Sequence, residues 1–199
     1  MIDPYDLNHP WDRRRLEEWI LFGICVANKP ADATAVKLER FLDAGVMCRW
    51  EGECIESPFA RIRFFIKNKQ LGWRLRHFRM GQYTRIGRAM REVVEKIKDP
   101  LNTSVAELET VNGIGPKTAR MVMLYYKPET ACVPLDTHIL RWLREQGYDA
   151  PKGTPSGRRY LELEQNFIAE AKKRRMTVKE LDTQVWQASA LPQKSKAGN

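Results

Sequence analysis

Two side chains, Lys117 and Asp136, have the types and the surroundings for covalent chemistry. A lysine amine, once deprotonated, is a nucleophile that forms Schiff bases. A carboxylate stabilises positive charge that develops near it and helps to move protons. Lys117 directly follows Val111-Asn112-Gly113-Ile114-Gly115-Pro116, and Asp136 lies nineteen residues later, within Val133-Pro134-Leu135-Asp136-Thr137-His138. A helix of about ten residues runs about 15 Å. The spacing is therefore one helix out and one loop back, a path that returns a carboxylate to the lysine. A free lysine has a pKa of about 10.4. Partial burial at a helix N-terminus is expected to lower it, with Asp136 pulling the other way.

The elements that must hold this pair are read from Leu108–Arg141: a helix, a glycine-pinned hairpin, a second helix, a short loop and the start of a third helix. Gly113 and Gly115 pin the turn, because glycine accepts positive φ and lets another backbone come close. Pro116 opens the second helix where its missing N–H costs least. The N–H groups of that helix start favour an anion, and a DNA phosphate fits there. Ser104, with Glu107 three residues on, forms a capping box for the first hairpin helix. Asp136 is expected to cap the helix that starts at Thr137.

The remaining chain predicts an all-α protein. Apolar residues at helical spacing mark helices over Asp12–Asn28, Ala31–Leu42, Phe59–Lys69, Arg85–Lys98, Thr137–Gln146, Arg158–Lys173 and Val178–Ser189. Residues 1–10 look like a lead-in arm, Gly45–Pro58 like a polar loop and Asp149–Gly157 like a linker. The 199 residues carry a net charge of +9, which points to a polyanion. The charge is concentrated: from Arg61 to Arg91 there are ten Lys or Arg and no Asp or Glu, with aromatic and apolar residues interleaved. If six of those cations meet phosphates, log K falls with log salt at a slope of about −5. No apolar run reaches the roughly 20 residues of a membrane span. The N-terminal segment lacks a basic-then-apolar signal pattern, so an intracellular protein of cytoplasm or nucleoid is expected. Cys25, Cys48, Cys54 and Cys132 form no CxxC pair, and His9, His77 and His138 have no ligand spacing. No catalytic metal is expected.

Gly113-Ile114-Gly115-Pro116-Lys117-Thr118-Ala119 followed by Val133-Pro134-Leu135-Asp136-Thr137-His138 resembles the helix-hairpin-helix DNA glycosylases, the superfamily of endonuclease III and the 8-oxoguanine glycosylases. The segments Arg159–Glu164 and Lys179–Trp186 look like the compact archaeal-type 8-oxoguanine enzymes. The resemblance spans about Leu16 to Trp186. It implies a two-lobed helical fold, with residues 1–28 and 147–199 as a terminal lobe. Residues 29–146 would form a helical barrel domain holding the helix-hairpin-helix at about 104–126. No cysteine follows Cys132, so the four-cysteine iron–sulfur cluster of many endonuclease III relatives is not expected.

The resemblance also implies roles. Lys117 matches the nucleophile of the bifunctional members, which remove a damaged base and then cut the strand, and Asp136 matches the residue that stabilises charge on the sugar. Gly113, Gly115 and His138 would meet the DNA backbone, and Arg85, in the basic tract, is a further DNA-binding candidate. Asn28 matches the position that fills the gap left by a flipped base, and Met80 or Gln82 the position of a wedge. Met121, Asp182 and Trp186 are candidates for the base pocket. The tail after Trp186 is longer than in that subfamily, which weighs against a pocket built on a terminal carboxylate. A monovalent cation on the hairpin carbonyls is the one ion implied, and no cofactor is needed. The partner implied is double-stranded DNA with a damaged base, bound by a monomer with no membrane role. The alternatives are an enzyme for oxidised pyrimidines and a non-catalytic helix-hairpin-helix module.

Overall fold

The computed structural model describes residues 3, 10–43 and 57–190. The Gly45–Pro58 loop reading falls almost wholly outside them, with Cys48 and Cys54, as do most of the lead-in arm and the tail from 191 onward. Every regular element among the described residues is helical, in agreement with the all-α expectation. The chain forms two compact units, Met1–Val122 and Met123–Asn199.

The first unit is built on α1 (Arg13–Val26), capped by Asp12, whose carboxylate accepts from the Arg15 N–H. The expectation for α1 was an apolar stripe. Instead, everything from Trp19 to Cys25 is buried, because α2 (Ala31–Asp43), α3 (Pro58–Lys67) and α5 (Tyr83–Lys96) pack around it. Buried Glu17 is the polar exception. Its carboxylate accepts from the Phe59 N–H at 2.9 Å, so it satisfies an N-terminal donor of α3. Between α3 and α5 lies α4 (Leu71–His77), a short helix inside the basic tract that periodicity did not reveal. Seven residues are too few to register a 3.6-residue repeat.

The helix-hairpin-helix follows. α6 (Val105–Glu109) starts at the Ser104–Glu107 capping box, with both reciprocal bonds present. α7 (Pro116–Tyr126) starts at the expected proline, and the division between the units falls within it. Gly23 lets α1 and α7 approach: a methyl group there would meet Thr118 Cγ2 at 3.0 Å and Met121 Cε at 3.2 Å.

The second unit is α8 (Thr137–Glu145), α9 (Gly157–Lys173) and α10 (Val178–Ala190), with the end of α7. Leu140, Leu143, Leu163, Phe167, Leu181 and Val185 are its buried core. Trp142 meets Phe167 edge-on at 5.3 Å. Gly147, at φ +90°, ends α8. Thr177 and Glu180 cap α10 reciprocally, as their spacing predicts.

Candidate functional site

In the first unit the turn between α6 and α7 is held by α5. Glu92 accepts from the Asn112 N–H at 2.8 Å, Lys96 donates to the Thr110 carbonyl at 2.6 Å, and Arg85 donates to the Gly113 carbonyl at 3.4 Å. Lys96, the Asn112 N–H and Arg88 together hold the Glu92 carboxyl down at about 2. Arg120 on α7 pairs with Glu109 on α6 at 2.5 Å and closes the motif. A monovalent ion on the turn would have to share the Thr110 and Gly113 carbonyls with these internal cations, and no step below depends on one.

The two glycines differ. Gly113 has φ +92°, and a Cβ on it would meet Ala89 Cβ at 3.2 Å. Gly115 has no positive φ and nothing within 4 Å of where a Cβ would stand. The internal conformation thus requires glycine at 113 only. At 115 the effect of glycine is an open approach to the start of α7, where backbone N–H groups are unsatisfied. Lys117, one residue into that helix, is exposed, and its amine has no partner among the described residues. The partial burial expected of it is absent: Pro116 and Thr118 beside it are half-buried and Ala119 fully buried, so Lys117 takes the outer side of that turn.

Arg85 gathers the other expected DNA contacts of this unit. It donates to the Ile24 carbonyl at 2.7 Å, to Gln82 Oε1 at 2.5 Å and to the Gly113 carbonyl. Gln82 in turn donates to the Ala27 carbonyl at 3.3 Å. Asn28, Gln82 and Gly113 are thereby fixed on three neighbouring turns. Asn28 (φ +58°) and Gln82 (φ +44°) are left-handed without being glycine, a conformation that costs about 1–2 kcal/mol each. Asn28 is exposed and its side chain has no partner among the described residues. Two expectations change. The guanidinium of Arg85 is spent on internal carbonyls, so it braces the turns. Met80 is 3% exposed, which removes it as a wedge, while its carbonyl accepts from Lys29 at 2.6 Å. Desolvation lowers the pKa of Lys29. Met121, a pocket candidate, has its tip against Gly23 of α1.

Charge on this unit extends beyond the turn. A shallow groove between α3 and α5 is lined by Arg63, Lys67, Arg91 and Lys98, with Glu95 the acid among them. Cys25 is buried in α1, and burial pushes its thiol up to about 12 despite Lys29 and Arg85.

In the second unit Asp136 caps α8 as expected. Its Oδ1 accepts from the N–H groups of His138 and Ile139 at 2.8 and 2.9 Å. What positions it is a clamp the sequence reading missed. Val133 and Leu135 are fully buried outside any helix, so their backbone groups need internal partners. Tyr160 of α9 donates its hydroxyl to the Val133 carbonyl at 2.7 Å and accepts from the Leu135 N–H at 3.0 Å. Glu164, one turn on, accepts from the Val133 N–H at 2.8 Å, and Thr154 donates to the Leu135 carbonyl at 3.2 Å.

Around Asp136 the unit collects four more polar or aromatic groups from α7, α8 and α10. Asp182 is 3% exposed and accepts from the Tyr125 hydroxyl at 2.7 Å. Burial raises the Asp182 carboxyl to about 7. The Asp136 charge also raises it, while the Tyr125 bond opposes. Burial, and then the Asp182 charge, push the Tyr125 phenol up. Trp186 packs edge-on to His138 with ring centres 5.8 Å apart. So Asp136, His138, Asp182 and Trp186 share one unit with Tyr125, which sequence reasoning passed over as one more aromatic on the helix after the hairpin.

The family model of the helix-hairpin-helix motif matches residues 101–125, which covers α6, the turn and most of α7. No solved structure matches the chain. The protein is therefore an all-helical chain carrying a helix-hairpin-helix motif, and that motif indicates DNA as its partner. No described helix is long and apolar enough to cross a membrane.

Proposed function

We propose that the protein is a bifunctional DNA glycosylase and abasic-site lyase of base-excision repair, acting through a Schiff base on Lys117, with 8-oxoguanine as the favoured lesion. The observation that carries this reading is Lys117 itself. It is the second residue of α7, in the matched motif, with its amine exposed and unpaired among the described residues. A module that only binds phosphate needs the turn and the helix start. It has no need of a lysine kept free at that position, nor of a separately clamped carboxylate at Asp136.

In this reading the base must first leave the stack, since C1′ is shielded inside the duplex. The Lys117 amine attacks C1′, the glycosidic bond breaks, and the base departs with the bonding electrons and a proton. The ring-opened sugar is then held as an imine, which supports elimination of the 3′ phosphate. Asp136 offsets the positive charge that develops on the sugar. Its cap bonds occupy Oδ1, leaving Oδ2 for that task. Asn28 stands on an exposed left-handed turn with its side chain unpartnered among the described residues, a setting suited to a side chain that enters the duplex, whereas the Gln82 amide is held by Ala27 and Arg85. Asp182 and Trp186 are the groups to read the base, with Tyr125 orienting Asp182.

The test is borohydride trapping on two duplexes, one with 8-oxoguanine opposite cytosine and one with an oxidised pyrimidine. Covalent product on the first alone, lost in Lys117→Gln, is the expected result. Product on the second alone keeps the mechanism and changes the lesion. No product on either, nor on an abasic duplex, with tight salt-sensitive binding to all three, sinks the catalytic reading in favour of a binding module.

A further inference from the structure

We propose that the exposed face of α4 is a second nucleic-acid site, a stacking platform for the unpaired bases of a single strand, built by Trp73 and His77 with Arg76 and Tyr83 beside them. It rests on the reading of DNA as the partner, not on the Schiff-base chemistry.

α4 is anchored by Leu71 and Leu75, each 1% exposed, so its opposite face is fixed toward solvent. On that face Trp73 is 59% exposed, and Tyr83, at the start of α5, is 38% exposed. Leaving so much aromatic surface in water forgoes the stabilisation its burial brings. Trp73 and His77 lie one helical turn apart and are already stacked, with ring centres 4.9 Å apart and planes 24° apart. Arg74 supports the pair from the inner side. Its guanidinium is 6.0 Å from the Trp73 ring centre and 4.2 Å from that of Phe65. Arg76 extends the patch to Tyr83, 5.8 Å from that ring centre.

The charge around these rings selects the occupant. They lie within the thirty-one residues from Arg61 to Arg91 that contain no acid and ten cations. An apolar protein partner gains nothing from such a field, whereas a phosphate backbone does. Flat, exposed ring faces suit bases that are themselves unstacked, and a closed duplex offers edges instead. The platform also adjoins the DNA-facing turns: Tyr83 follows Gln82, whose amide reaches the Ala27 carbonyl next to Asn28.

The experiment measures anisotropy of labelled oligothymidylate of about 15 nucleotides, and of an undamaged blunt duplex of similar length. The proteins are the full chain, Trp73→Ala and Trp73→Phe. Trp73→Ala is expected to weaken single-strand binding roughly 5- to 100-fold. It should leave duplex affinity within about twofold and leave the salt slope unaltered, since stacking releases no counterions. Trp73→Phe keeps most of the affinity. Unchanged single-strand binding in Trp73→Ala, or an equal loss on strand and duplex, overturns the proposal. A chain that traps no damaged duplex yet binds oligothymidylate through Trp73 refutes the catalytic reading and keeps this one. Trapping with binding indifferent to Trp73 does the reverse.

Discussion

The end of the turn that carries Lys117 and the segment that carries Asp136 are positioned by opposite means. The first is shaped by backbone: a glycine at φ +92°, a proline at the helix start, and carbonyls and N–H groups held from below by Arg85, Glu92 and Lys96. The Lys117 side chain, the proposed nucleophile, stays exposed and takes no part in holding the fold. The second is shaped by side chains: buried Tyr160 and Glu164, with Thr154, fasten the backbone of Val133 and Leu135, and Asp136 is itself a helix cap. On the proposed reading, chemistry and stability are therefore separable at Lys117 and entangled at Asp136.

The largest effect expected is at Lys117. Lys117→Gln should remove covalent trapping altogether while leaving stability within about 0.5 kcal/mol, as for a surface substitution. Asp136→Asn should slow the chemical step about 100- to 1,000-fold with little loss of stability, because asparagine also caps. Asp136→Ala should lose a further ~1 kcal/mol of stability with the cap. Single-turnover rates and urea melts on the three variants break the comparison if Lys117→Gln proves the destabilised one.

Next comes the clamp. Tyr160→Phe leaves a buried carbonyl and a buried N–H without partners, at about 2–4 kcal/mol in total. Its DNA affinity, measured on folded protein, should change far less than its stability. The glycines sharpen the contrast within the turn. Gly113→Ala should cost about 1–2 kcal/mol for the left-handed backbone. Gly115→Ala should be nearly neutral in a melt but weaken duplex binding, because its methyl group enters space open only to a partner.

Asp182 gives a pH signature confined to the second unit. Its carboxyl is raised from 3.8 to about 7, so between these values the folded chain holds a proton that the unfolded chain has lost. Stability from this group is thus greatest below about pH 4 and falls as pH rises toward 7. Thermal melts across that window should show the trend, and Asp182→Asn should flatten it. An unaltered profile in the variant breaks the assignment. The smallest effect is at Arg85. Arg85→Gln should weaken duplex binding several-fold by loosening three turns, with the salt slope unchanged. A slope reduced by about one would return Arg85 to phosphate contact.

Much of this was readable along the chain because the signals are local. The Ser104–Glu107 box, Pro116 and the Asp136 cap each depend on residues within four positions. Met80, Arg85 and the burial of α1 were not legible because other elements settle them: Met80 and Arg85 meet residues 51 and 61 positions away, and three helices cover α1. Lys29 takes the Met80 carbonyl, the Ile24 carbonyl takes Arg85, and α5 closes one side of α1. Tyr160 and Glu164 were visible as a pattern on α9, but one-dimensional spacing does not say that a hydroxyl will face a buried carbonyl 27 residues back.

By itself the sequence determined the helical class, the hairpin and its helix starts, and the basic tract, and it offered Lys117 and Asp136 as candidates. Turn chemistry, capping and charge are written in near neighbours. Only the tertiary structure decided which of the neighbouring groups are free to meet a partner. Lys117, Asn28 and Trp73 are exposed while Met80 is buried and Arg85 is bound. Exposure and hydrogen-bond satisfaction belong to the packed chain, where a donor finds its acceptor in space and not in sequence.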